Sequence, residues 1–206
     1  MTKKAIILDL DNTIYPVSSI GEKLFSELFQ IISESGDYSG EFQVIRSEIM
    51  RIQFQLIANE HHFGEKLKAD CMKLLKDLTY DDKIEPFEYY EEVRKLSCKK
   101  YLVTTGFTKM QTSKVKNLGI EKDFERIFIV DPIKSDITKQ IVFKGILDEY
   151  GFEVGDLLVV GDDLNSEIKA AQELGIETVL YDFEAKYGQN DHLKIIRNFK
   201  ELKQQI

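Results

Sequence analysis

The 206-residue chain carries 28 Lys and Arg against 36 Asp and Glu, a formal charge of −8, and is 43% hydrophobic and 31% charged. That length suits one good-sized domain or a domain with a large insertion, and the composition excludes disorder and low complexity. Residues 16–84 and the remainder each carry −4, so neither part offers a basic footprint for nucleic acid. No stretch is long and apolar enough to span a membrane, and the opening Met-Thr-Lys-Lys precedes only a short apolar run, unlike a secretory leader; a cytoplasmic protein is expected. Cys71 and Cys98 stand at no metal-type spacing, and each reads as a reduced thiol in an amphipathic helical pattern.

The first predicted element is the apolar run Ala5-Ile6-Ile7-Leu8, a buried strand that delivers Asp9-Leu10-Asp11-Asn12-Thr13. Residues two apart on a strand point the same way, so Asp9 and Asp11 can face one small site where the sheet opens. One carboxylate can attack and the other can move a proton. Aspartate is among the side chains that form covalent phospho-enzymes, and a hard cation beside it takes oxygen ligands of this kind.

Pro16 and Pro86 then bracket a segment whose periodicity is helical throughout. Ser19 with Glu22 predicts a capping box, followed by Leu24, Leu28 and Ile31 or Ile32 on one face. Phe42, Ile45, Ile49, Ile52 and Leu56 recur at spacings of three and four, which predicts a single helix. Leu67, Cys71, Leu74 and Leu78 predict another, so the segment is expected to form a small bundle in which each helix buries one stripe. His61-His62 has no third ligand at helical spacing and reads as surface. Phe87, Tyr89 and Tyr90 read as hinge or core packing.

After Pro86, short apolar runs alternate with helical patterns, as in a parallel sheet covered on both faces. Strands are expected at 101–103, 127–130, 157–160 and 178–180. Leu118-Gly119-Ile120 and Leu174-Gly175-Ile176 each predict a helix closed by a left-handed glycine. The fold class expected is α/β, a doubly wound, Rossmann-like parallel sheet core at 1–15 and 85–206 with an inserted helical cap domain at 16–84. Such sheets bind ligands at the carboxyl ends of their strands. Following the strands in order, those ends carry Asp9, Asp11 and Thr13, then Thr104, Thr105 and Gly106, then Gly161, Asp162 and Asp163 with Glu167 a turn on. Lys139 opens the helical pattern before the fourth strand. Two adjacent acids at a strand end repel unless a cation compensates, which favours a metal at Asp162 and Asp163.

These residues, in this order, resemble the haloacid dehalogenase superfamily, and specifically its phosphatases with a helical cap inserted after the first motif. Asp9-Leu-Asp-Asn-Thr13 is similar to the family's nucleophile motif, Leu102-Val-Thr104-Thr-Gly to its second, Lys139 to its third, and Gly161-Asp162-Asp163 with Glu167 to its acidic fourth. The lysine lacks the proline that often follows it, which leaves Lys134 as a competitor, and Glu167 stands where aspartate is common. The resemblance implies that Asp9 is the nucleophile and Asp11 the acid/base, with Thr104, the Thr105 amide, Gly106 and Lys139 receiving the phosphoryl group. It implies magnesium held by Asp9, the Asp11 backbone carbonyl and Asp162, with Asp163 and Glu167 as supporting acids. The Asn-Thr-Ile-Tyr-Pro continuation is similar to that of pyrimidine 5′-nucleotidase-like members. The expected activity is therefore a magnesium-dependent hydrolysis of a small phosphorylated metabolite or nucleoside monophosphate through an aspartyl-phosphate, by a monomer or homodimer. A phosphomutase or a non-catalytic phospho-ligand-binding regulator is the alternative. Dehalogenation is disfavoured, because displacing a halide needs no Asp11 to protonate an alkoxide.

Overall fold

β1 (Ala5–Leu8) is buried along its whole length in the computed structural model, which describes residues 2–188 and 193–206. It lies in the middle of a six-stranded sheet with β2 (Lys99–Thr105), β3 (Arg126–Val130), β4 (Leu157–Gly161), β5 (Glu177–Tyr181) and β6 (Ile195–Ile196). The order is β3-β2-β1-β4-β5-β6 and every pairing is parallel. A central parallel strand has no solvated face, which is why β1, β2 and β4 read as continuous apolar runs instead of alternating ones. Side chains still alternate by face. Ile6 and Leu8 enter one apolar cluster, and Ala5 and Ile7 enter the other.

The four strands expected after Pro86 are present and extend one or two residues beyond the apolar runs at one or both ends. β6 was not expected, since two residues are too few to register as an apolar run. Helices α7 (Thr108–Leu118) and α6 (Tyr90–Arg94) contribute to the first cluster, whereas α8 (Lys139–Tyr150) and α9 (Lys169–Gln172) contribute to the second, so the sheet is covered on both faces. Gly119 (φ 67°) and Gly175 (φ 75°) hold the left-handed conformation that ends a helix before the next strand. Ala5 pairs with both Lys99 and Leu157, and Leu8 with Leu102 and Val160. The residues after β1, β2 and β4 therefore emerge side by side, where the strand order reverses and a crevice opens.

Five helices lie between β1 and Pro86: α1 (Gly21–Leu24), α2 (Ser26–Ser35), α3 (Phe42–Ile49), α4 (Phe54–Glu60) and α5 (Glu65–Asp77). Their buried residues join the same apolar cluster that covers the Ile6 and Leu8 face of the sheet. Several local expectations are corrected here. Ser19 belongs to a short turn, and its hydroxyl donates to the Pro16 carbonyl at 2.7 Å instead of capping toward Glu22. Glu22 instead pairs with Arg46. The run from Phe42 to Leu56 is two helices, because residues 50–53 leave the helical path and reset its phase. Ile52 and Leu56 are consequently 39% and 56% exposed, while Phe54, Ile57 and Ala58 are buried. In α5 the buried stripe is Leu67, Cys71 and Leu75, with Leu74 half-buried and Leu78 past the helix end. Cys98 precedes β2 in a bend, not a helix.

His62 is exposed, but His61 is not simply surface. Its Nε2 meets Glu48 Oε2 at 2.6 Å and its Nδ1 meets the Ser39 carbonyl at 3.0 Å, tying the end of α4 to α3. Phe87 packs on Tyr181 and Phe183 at ring separations of 5.2 and 4.7 Å, and Tyr90 packs on Phe199. Among the described residues, no helix is long and apolar enough to cross a membrane.

Candidate active site

The chain turns sharply as soon as β1 ends. Ile14 N–H donates to the Leu10 carbonyl at 2.9 Å, Asn12 takes a left-handed conformation (φ 57°), and the Asn12 side chain accepts from Val17 N–H at 3.0 Å. This turn places the Asp9 and Asp11 side chains on one cavity with separate surroundings. Asp9, only 6% exposed, accepts from Lys139 Nζ at 2.7 Å through Oδ1. Its Oδ2 meets no donor among the described residues. The same ammonium donates to Glu167 Oε2, also at 2.7 Å.

Lys139 is the first residue of α8, behind Thr138, whose hydroxyl oxygen accepts from Ile141 N–H at 3.3 Å. A cation at a helix N-terminus is disfavoured by the helix dipole, and here the two carboxylates offset that cost. Burial works against its charge, but Asp9 and Glu167 outweigh burial and hold the ammonium protonated well above the ordinary lysine range. Lys134 is placed elsewhere. Its side chain is 60% exposed, donates to Thr108 Oγ1 at 2.8 Å and lies 3.6 Å from Asp131. The structure thus brings Lys139 to Asp9 and leaves Lys134 outside.

Asp9, Asp162 and Glu167 each offer a carboxylate oxygen, and the three oxygens lie within 4.8 Å of one another. The Asp11 carboxylate is not in this cluster, while Glu167 is. Gly161 explains how Glu167 gets there. A Cβ at position 161 would fall 2.1 Å from Glu167 Oε1, so only a glycine at the end of β4 lets the glutamate fold back over the strand. Glu167 also accepts from Asp163 N–H at 2.8 Å, and the Asp163 side chain accepts from Asn165 N–H at 2.8 Å, which starts the helical turn that carries Glu167.

The cluster holds more negative charge than Lys139 can neutralise. Burial first, then the charges of Asp9 and Glu167, push Asp162 up to about 9. Burial likewise outweighs the attraction of Lys139 and pushes Asp9 up to about 7. An all-oxygen donor set with excess negative charge suits a hard divalent cation, so Asp9 and Asp162 fit a magnesium-type ion.

Asp11 lies beside a different set of partners. Tyr15 donates to its Oδ1 at 2.5 Å, Gln111 Nε2 to its Oδ2 at 2.8 Å, and Lys114 Nζ to the two oxygens at 2.9 and 3.1 Å. Burial raises its affinity for a proton, but the Lys114 charge and the donated hydrogen bonds reverse this and hold it below the usual carboxylate range. Thr104, 1% exposed at the end of β2, accepts from Gln111 at 2.7 Å, and the Thr105 carbonyl accepts from the same amide at 3.1 Å. Thr105 and Gly106 follow on the cavity wall.

Tyr15, Gln111 and Lys114 were not singled out from the sequence. A signal existed for two of them. Gln111 and Lys114 stand three apart on the face of α7 that also buries Met110, Val115 and Leu118, so they are polar residues at apolar-face positions. The cavity itself is about 560 Å³ and is walled by Phe25, Leu28, Met50 and Phe54 from the inserted helices and their connections. Arg51, also on that wall, forms an ion pair with Glu184 beyond β5.

A model of the haloacid dehalogenase-like hydrolase family matches residues 3–175. The chain is 27% identical over 208 residues to glyceraldehyde 3-phosphate phosphatase of Pyrococcus abyssi, across 90% of this chain and 82% of that protein. It is 26% identical over 83 residues to pyrimidine 5′-nucleotidase of Streptococcus pneumoniae, across 40% of this chain and 35% of that one. The magnesium-bound structure of the hydrolase YfnB from Bacillus subtilis shares the fold with a TM-score of 0.67 at 16% identity, over 99% of this chain and 98% of that one. The chain therefore belongs to the haloacid dehalogenase-like hydrolases, among the phosphatases of that family.

Proposed function

We propose that the chain hydrolyses the phosphomonoester of a small metabolite, a sugar phosphate or nucleoside monophosphate, through an aspartyl-phosphate at Asp9. The observation that carries this reading is the separation of the two aspartates at the end of β1. Asp9 offers a free oxygen on the cavity, and Asp11, two residues on, is held by donors of its own. Asp9 attacks phosphorus, and the departing oxygen takes a proton from Asp11. Asp11 then accepts a proton from the water that releases phosphate from Asp9. Its three donors suit Asp11 to the second step, and a bound phosphate anion, by like-charge repulsion, favours the protonated form needed in the first.

Thr104, the Thr105 amide, Gly106 and Lys139 receive the phosphoryl oxygens, whose charge must be stabilised in the transition state. Asp9, Asp162 and the Asp11 carbonyl would hold magnesium, with Asp163 and Glu167 behind them. The ion would offset the repulsion between an anionic nucleophile and an anionic phosphate. The helical segment at 16–84 acts as a cap, so the non-phosphate part of the substrate meets its apolar wall and draws selectivity from it. The substrates named for the relatives, a triose phosphate and pyrimidine nucleotides, are both small enough for such a cavity.

The test is a screen of phosphorylated metabolites with magnesium and with chelator. Hydrolysis is expected with magnesium and its loss with chelator. Turnover by metal-free protein at the full rate overturns the metal assignment, and no hydrolysis of any monoester overturns the reading itself.

Stability supplies a second measurement. In metal-free protein, folded Asp9 and Asp162 keep their protons to about 7 and about 9, against an ordinary value of 3.8. The folded state then binds more protons than the unfolded state across that window, so their contribution is present below 3.8 and lost as pH rises through the folded values. Magnesium should therefore raise the melting temperature more near pH 9 than near pH 5. Equal shifts at the two pH values would place the ion away from these carboxylates.

A further inference from the structure

We propose that Gln111 and Lys114, one turn apart on α7, are positioning residues that hold Asp11 and Thr104 as one unit; the proposal rests on the roles given to those two residues above. Both side chains are buried, Gln111 at 0% and Lys114 at 2% exposure, on a helix face that is otherwise apolar. Burying an ammonium is costly unless it is paired, and the acid that Lys114 pairs with is Asp11. With Tyr15 on Oδ1, Gln111 on Oδ2 and Lys114 on both, each carboxylate oxygen is held and the group cannot rotate freely, while its remaining face stays open to the cavity.

Gln111 extends that grip to the phosphate side of the site. Its amide nitrogen reaches Asp11 Oδ2, Thr104 Oγ1 and the Thr105 carbonyl, three acceptors for two hydrogens. The anion at Asp11 decides the orientation of the amide, since turning the amide oxygen toward a carboxylate would be repulsive. Because the amide occupies a lone pair of Thr104, the hydroxyl hydrogen is left to point elsewhere, where a phosphoryl oxygen can accept it. Gly106 leaves room for this arrangement, as a Cβ there would stand 3.0 Å from Gln111 Cγ. Lys114 and Gln111 donate to neither Asp9 nor Glu167, so the nucleophile and the acidic cluster are separate from this unit.

Positioning of this kind matters most when the proton on Asp11 is needed, because transfer depends on a prealigned donor. The test compares single-turnover phosphorylation of the magnesium-loaded protein by an alkyl phosphate and by an aryl phosphate whose phenol leaves without a proton. Lys114→Met lets Asp11 hold a proton more readily but frees it to rotate. With alignment the larger effect, it should slow the alkyl ester by about a hundredfold and the aryl ester by less than about threefold; an alkyl ester that is unchanged or faster overturns the role. Equal loss on both esters overturns the role. Lys114→Met alone leaves the half-buried Asp11 without its ammonium, so Asp11→Asn/Lys114→Met, which removes both charges, is measured beside Asp11→Asn. The double variant should be no slower than Asp11→Asn on the alkyl ester, and a further tenfold loss would show that Lys114 does not act through Asp11. Gln111→Leu should slow both esters by about tenfold or more through Thr104; unchanged aryl turnover overturns its part. Wild-type hydrolysis of the aryl ester in the same assay keeps the hydrolase reading independent of these outcomes.

Discussion

Asp9→Asn should reduce turnover by on the order of 10⁴-fold or more, the scale seen when a covalent nucleophile is removed, while the protein remains folded. Asparagine keeps the shape and still accepts a hydrogen bond from Lys139, but its amide is not an anion and does not attack phosphorus. Stability should not fall. Asp9 sits in a cluster with more negative charge than positive, and burial already pushes its carboxyl up to about 7. A neutral side chain there removes repulsion with Asp162 and Glu167 as well as the attraction to Lys139. Steady-state rates on an aryl phosphate, thermal melting and acid trapping of phosphoprotein check the three parts together. Near wild-type turnover in the folded variant would remove the covalent mechanism.

Lys139→Met should lose both activity and stability. Lys139 ties two buried carboxylates, with side-chain exposures of 7% for the lysine, 7% for Asp9 and 2% for Glu167. Taking away the cation leaves both acids facing each other without water, and breaking a buried pair in this way costs about 3–5 kcal/mol. Loss of one charged contact to the transferring phosphoryl group costs a further 10²- to 10³-fold in turnover, on the order of 3 kcal/mol of barrier. A divalent cation in the same cluster restores part of the missing positive charge. The destabilisation should therefore be larger in chelator than with magnesium, which urea unfolding under both conditions measures. Lys134→Met is the control, since that exposed side chain should change stability by no more than about 0.5 kcal/mol. If the two variants behaved alike, Lys139 would not be the cation that matters.

Much of the fold was legible in the residues themselves, because burial by neighbouring strands leaves an unbroken apolar run in each central strand. Ala5–Leu8 and Leu157–Gly161 are examples, and the left-handed turns at Gly119 and Gly175 likewise demand a glycine for local reasons. Asp9, Thr104 and Asp162 could be placed at strand ends for the same reason: a strand carries the next residue to a known edge of the sheet. What an element's own pattern does not contain is the identity of its partner. Lys139 and Lys134 are both lysines near the start of α8, and only the packing of that helix on the Ala5 and Ile7 face of the sheet, beside the turn that carries Glu167, brings one of them to Asp9.

Glu167 entered the acidic cluster because Gly161 lets it fold back across the strand, a contact between two elements that spacing alone does not report. The break at residues 50–53 escaped the periodicity of the inserted helices, since apolar residues on either side of it kept a helical interval by coincidence. Gln111 and Lys114 were visible only as polar residues on an apolar helix face. Their partner, Asp11, lies about a hundred residues earlier in the chain. Local hydrophobicity and backbone chemistry determined where the strands, turns and acidic ends fall. The tertiary structure alone decided which charges meet, because a buried ion pair is chosen by the packing that excludes water from both partners.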